Sequence, residues 1–120
     1  MTNLVELNDS NFDEKIQTHS IALIDFWTDN CQPCKVAALI VEELAVKYED
    51  RIFVGMVRAD KNPKSVERFS IRGVPTLLIL KKGHEIDRIL LQIDDIAQLM
   101  KQYVNEKLSR HLIHLQNSAK

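Results

Sequence analysis

A strand built like Ile21 to Trp27, IALIDFW, has no face to offer to water. Seven residues is strand length, and a nearly continuous apolar run suits a strand covered on both faces. The one carboxylate in the run, Asp25, is carried inside with it. The neighbouring patterns supply the cover. LVEL, with NDSNFDEKIQTH after it, reads as a short edge strand and then a helix, with Ser10 and Asp13 as an acidic capping box and Phe12 and Ile16 as its apolar stripe. A helix is predicted from about Cys31 to Tyr48, with Val36, Leu39, Ile40, Leu44 and Val46 among its apolar positions. Arg51 to Ala59 forms the next strand, and Asn62 with Pro63 marks the N-cap and first position of a short helix. VPTLLIL is a strand opening at Pro75, Gly83 marks a turn, and EIDRILLQI is a further strand. From Asp94 a long helix follows, carrying Ile96, Leu99, Met100, Tyr103, Val104 and Leu108 on one face. Helices between strands imply parallel pairing, and the tight turn at Gly83 an antiparallel pair at the end. The expected fold class is α/β, a central mixed β-sheet with helices on both faces.

The chain of 120 residues has a net charge of −1, so it is sized for one domain with a real core and has no electrostatic bias toward nucleic acid. No run approaches the ~20 apolar residues of a spanning helix, and the start, MTNLVELNDS, lacks the pattern of a secretory signal. The expectation is a cytoplasmic protein without a membrane partner. In a reducing compartment two cysteines three apart are a poor structural staple and point to catalysis or metal. Structural zinc takes four ligands, commonly as two such pairs, and Cys31 and Cys34 are the only cysteines. His111 and His114 stand one turn apart but read, with His19 and His84, as surface residues. Neither a metal nor a cofactor is expected.

Cys31 is placed at the mouth of a helix, with Cys34 one turn in. Cα atoms at that spacing lie roughly 5 Å apart, within the range a disulfide accepts. Free N–H groups and the positive end of the helix favour an anion at Cys31, whereas Cys34 is expected to be shielded. The thiolate is the nucleophile, and a thiol of pKa ~8.5 needs such help at neutral pH. Cys31 is therefore the candidate nucleophile and Cys34 the candidate resolving thiol. Cys34 must first lose a proton where water scarcely reaches. Asp25, desolvated on the adjacent strand so that its pKa rises, is the candidate acceptor.

These motifs resemble the thioredoxin family over roughly Leu4 to Leu108. Five matches carry the resemblance: DFW before the site, CQPCK at the CxPCK position, Asp25 at the family's buried aspartate, DKNP at Asp60 to Pro63, and RGVPTLLILKKG. The family implies a thioredoxin fold over residues 1–108, with 109–120 as a C-terminal extension that is a helix continuation or a frayed tail. It implies a thiol–disulfide oxidoreductase acting on disulfide-containing proteins, re-reduced by a reductase protein or a small thiol. Pro75 would be a cis-proline facing the cysteines, with Val74 before it, and Trp27 would pack beneath the active-site loop. Gln32 and Pro33 fill the positions between the cysteines. Departures from the family accompany the matches. Asn30 replaces tryptophan, Gln32 glycine, Leu39 the helix proline, Met56 a lysine near Asp25, and Leu91 a glycine of the docking face, while Ala59 stands where a larger apolar residue is common. Without the lysine, Asp25 should be harder still to ionise. The altered face (Asn30, Ala59, Leu91) leaves a second reading, a binding, adaptor or chaperone-like module for one partner. Leu112, Ile113 and Leu115 would pack the tail on the domain or on a second copy.

Overall fold

The computed structural model describes residues 4–90 and 97–118, with side chains from 4–90 and 101–113. Five strands, β1 (Leu4–Leu7), β2 (Ile21–Trp27), β3 (Phe53–Arg58), β4 (Thr76–Lys81) and β5 (His84–Leu90), form one sheet in the order β1-β3-β2-β4-β5. β1 and β2 run parallel to β3, and β4 runs antiparallel to both β2 and β5. The helices are α1 (Phe12–Ile16), α2 (Gln32–Lys47), α3 (Pro63–Arg68) and α4 (Ala97–Ser118), with one 3-10 turn at Ala59–Lys61. β2 is the central strand, which is why its residues must be apolar on both faces. Ile21 and Leu23 join the core beneath α2 and α4, and Ala22, Ile24 and Phe26 join the core containing Phe12, Ile16 and Phe69 on the other face. Asp25, in phase with Ile21 and Leu23, therefore lies on the α2 face.

Four local expectations need correction. The residue at the start of α1 is Asn11, without a side-chain cap; Asn8 Oδ1 instead accepts from Ser10 N and Asn11 N at 2.8 and 2.9 Å, so Ser10 and Asp13 form no capping box. On α2 the buried stripe is Cys34, Ala37, Ile40, Val41, Leu44 and Ala45, whereas Leu39 and Val46 are 65% and 57% exposed. Asn62 is the residue before α3, but its side chain does not cap the helix. Asp9, beyond the end of β1, accepts from Lys64 N at 3.1 Å and from Ser65 N and Oγ at 2.8 and 2.7 Å. Slight burial pulls the Asp9 carboxyl upward, and these hydrogen bonds outweigh it to hold the group below its ordinary value. On α4, Val104 and Leu108 are buried, but Tyr103 is half exposed. Asp94 and Ile96 lie outside the described residues, as do the side chains of Leu99, Met100 and Leu115.

Past Leu108 the helix continues, with Leu112 buried in the core and Ile113 exposed. His111 is not a free surface residue: its Nε2 meets Asp87 Oδ2 of β5 at 2.9 Å, and Lys107 Nζ lies 3.5 Å from Asp87 Oδ1. Burial raises Asp87, but the bonds from His111 and the Arg88 backbone and the charge of Lys107 carry it below the ordinary carboxylate value.

Gly55 shows how closely the sheet is filled on the side of α1. A Cβ there would lie 2.5 Å from Leu7 Cδ1 and 3.0 Å from Phe53 Cε2. Leu7 is itself buried, so its side chain gives way only by displacing packed neighbours. Gly55→Ala is expected to cost about 1–3 kcal/mol through overpacking, read as a lower urea midpoint. An unchanged midpoint would show that Leu7 repacks freely.

Candidate active site

Cys31 is the N-cap of α2, with extended backbone (φ −117°, ψ 104°), and the helix proper starts at Gln32. Its Sγ accepts from Cys34 N at 3.2 Å, and Lys35 N donates to the Cys31 carbonyl at 3.3 Å. Pro33, at the second helical position, has no N–H to leave unpaired in this first turn. Cys31 and Cys34 form a disulfide with Cα atoms 5.2 Å apart. Cys31 is half-buried and Cys34 is buried, and Gln32 between them is exposed. The pair is accessible from the Cys31 side.

Val74 and Pro75 face it. Their peptide bond is cis, and Cys31 Sγ lies 3.9 Å from the Val74 carbonyl oxygen. The disulfide sulfur carries no proton, so this is a contact; a reduced Cys31 thiol finds an acceptor there. A groove of about 470 Å³ continues from this point along Arg72, Gly73, Val74, Pro75, Thr76 and Leu90.

Asp25 is wholly buried, and neither carboxyl oxygen has a hydrogen-bond partner among the described residues. Its neighbours across the sheet are Met56 on β3 and Leu77 on β4, both apolar. Burial alone pushes its pKa from 3.8 up to about 7. A second cleft of about 300 Å³, lined by Trp27, Thr28, Asn30, Cys34, Ala38 and Met56, opens beside the disulfide. Trp27 is half-buried against the loop before Cys31, level with Arg58 in the sheet register. One fold element thus presents a half-exposed sulfur and a buried one, and the central strand presents a carboxyl group with a raised proton affinity.

A sequence model of the thioredoxin family matches residues 3–104. This chain belongs to the thioredoxin family. The thioredoxin of Buchnera aphidicola subsp. Schizaphis graminum (strain Sg) is 37% identical over 110 residues, covering 90% of this chain and 99% of its own. The thioredoxin of Staphylococcus haemolyticus (strain JCSC1435) is 35% identical over 109 residues, covering 91% and 98%. Among solved structures, a mutant thioredoxin from Halobacterium salinarum NRC-1 superposes with a TM-score of 0.71 over 86% of this chain and 88% of its own, at 22% identity, which speaks for the fold. Family membership and the Cys31–Cys34 disulfide together make the protein a thiol–disulfide oxidoreductase.

Two features of this thioredoxin-family site escape a reading of residue types. Asn30 has φ 58°, in the left-handed region that asparagine tolerates better than bulky residues do. Asparagine thus suits the backbone of the active-site loop at this position. Arg58 and Asp29, 2.7 Å apart, brace the same loop. The available signal was parity: Arg58 stands two residues after Met56, on the same strand face. Of the altered docking positions, Ala59 opens the 3-10 turn after β3 and Leu91 lies outside the described residues.

Proposed function

We propose that the protein is a protein-disulfide reductase in which Cys31 is the nucleophile, Cys34 the resolving thiol and Asp25 the proton acceptor. The observation that carries this reading is the pairing of a helix-capping, half-exposed sulfur with a buried sulfur and a buried, unpartnered carboxyl group on one face of the sheet. The Cys31 thiolate attacks a substrate disulfide, forming a mixed disulfide and expelling one substrate thiolate. Cys34 then gives its proton to Asp25, and its thiolate attacks Cys31 Sγ. The mixed bond breaks, the second substrate sulfur leaves as a thiolate, and the Cys31–Cys34 disulfide forms. Two electrons pass to the substrate, and a reductase protein or small thiol restores the dithiol. Val74 and Pro75 hold free backbone beside Cys31 for an extended substrate segment, Trp27 supports the loop, and Gln32 and Pro33 shape the rim.

The cytoplasm is the compartment that suits such a reductase, because thiols are kept reduced there. We read residues 109–120 as a continuation of the domain's last helix, supported by buried Leu112 and the His111–Asp87 bond. A dimer through this segment would use Ile113, its exposed apolar side chain among the described residues.

The test is insulin disulfide reduction driven by dithiothreitol. The protein should accelerate precipitation of insulin, and Cys31→Ser should return the rate to that of dithiothreitol alone. Equal rates for the two proteins would refute Cys31 as the nucleophile.

A further inference from the structure

Arg58 ends β3 on the face turned toward α2, opposite Trp27 in the sheet. Its Nη2 lies 2.7 Å from Asp29 Oδ2. Its Nε and Nη2 donate to the two Asp60 oxygens at 2.9 and 3.3 Å. Its guanidinium carbon sits 5.6 Å from the centre of the Trp27 ring. Asp29 lies in the loop between β2 and α2, two residues before Cys31, and Asp60 lies in the 3-10 turn after β3. A single planar cation thus ties the loop that delivers Cys31 to the strand behind it.

An isolated ion pair at this exposure would contribute little, since the Asp29 side chain is 60% exposed and that of Arg58 32%. The network differs from that case. A guanidinium offers a rigid fork to one carboxylate, a further donor to a second and a flat face to an indole, and it holds them in one arrangement. The electrostatic consequence falls on the sulfur nearby. Of the other titratable groups, Lys35 on the first turn of α2 lines the cleft beside Cys34 together with Asp29, Arg72 lines the groove at Val74 and Pro75, Lys61 follows Asp60 in the 3-10 turn, and Asp25 lies on β2 beneath α2. Without Arg58, two carboxylates next to the loop would stand unopposed by their own partner.

We infer that Arg58 is a positioning residue for Cys31, fixing the 28–30 loop on Trp27 and offsetting the two carboxylates that would otherwise oppose the Cys31 thiolate. This inference rests on Cys31 being the reactive thiolate. Arg58 touches neither sulfur nor substrate in this role and acts through Asp29, Asp60 and Trp27.

The experiment is the pH dependence of iodoacetamide alkylation of Cys31 in the reduced protein. Arg58→Ala is expected to move the inflection to higher pH and to slow alkylation at neutral pH by about two- to fourfold. Arg58→Lys, which keeps the charge, should recover most of the shift. Asp29→Asn and Asp60→Asn, placed together in Arg58→Ala, leave one negative charge fewer than the parent has in this group and should bring the inflection back to that of the parent or below it. A purely structural brace would not be rescued by those two substitutions. Asp29→Asn alone, in a protein that keeps Arg58, should lower the inflection, which carries the test if Arg58→Ala does not fold. An unmoved inflection in a natively folded Arg58→Ala protein would overturn the inference alone. A parent inflection no lower than that of free cysteine would overturn both it and the reading of Cys31.

Discussion

Cys34→Ser is expected to turn a transient intermediate into a stable product. With Cys31 intact, attack on a substrate disulfide proceeds, but no second thiol remains to release the adduct. Cys34 is buried one helical turn behind Cys31, so an outside thiol reaches the mixed disulfide only through the half-exposed sulfur. Incubated with oxidised substrate and run without reductant, nearly all of the variant should migrate as a covalent adduct that dithiothreitol dissolves. Cys31→Ser should give none. Adducts forming equally on both variants would mean that the two sulfurs are chemically alike, contrary to their different burial. The range of proteins trapped in a cell extract then measures how far the altered docking face restricts the substrate.

Asp25→Asn should move stability and turnover in opposite directions. In the folded protein the Asp25 carboxyl is raised from 3.8 to about 7 by burial. Between those pH values the native state binds more protons than the unfolded state, so stability falls as pH rises. Each pH unit in that window subtracts about 1.4 kcal/mol, and the whole window about 4 kcal/mol as an upper bound. The contribution is fully present below pH ~4 and gone above pH ~7. An asparagine does not titrate. Urea unfolding at pH 8 should therefore find the oxidised variant more stable by up to about 4 kcal/mol, with the difference shrinking toward pH 4. Release of a mixed disulfide should slow by up to about 10²-fold near neutral pH and recover as pH rises and hydroxide takes the Cys34 proton instead. A carboxyl titration by NMR places the same midpoint directly. A midpoint near the ~3.9 of a free aspartate would refute both expectations.

The parts of the fold that sequence exposes are those set by local pattern. β2 is visible because a central strand must be apolar on both faces, and the turn at Gly83 because its φ of 84° favours glycine. The phase of α2 is harder to see. Its buried stripe runs through Cys34, Ala37 and Ala45, small residues that look neutral, while Leu39 and Val46 advertise a face that is in fact exposed. Cysteine spacing and an aspartate within an apolar run make the chemical centre legible. Its bracing is not, because it depends on tertiary register. Asp9 reaches Ser65 across 56 positions, and Arg58 meets Trp27 only once β2 and β3 are aligned.

The cap of α2 links helix stability to electron transfer. The group accepting the Cys34 N–H is the sulfur that changes oxidation state. An anionic sulfur is a better acceptor than a disulfide sulfur, so the start of the helix is held more firmly when the pair is reduced and ionised. Coupling of this kind is reciprocal. Whatever the helix gains from a thiolate cap also stabilises the dithiol against oxidation, so a substitution that loosens the first turn of α2 should make the protein a stronger reductant. Reduction potential is then partly a property of secondary structure, and helix-end substitutions far from any substrate contact become a means of adjusting it.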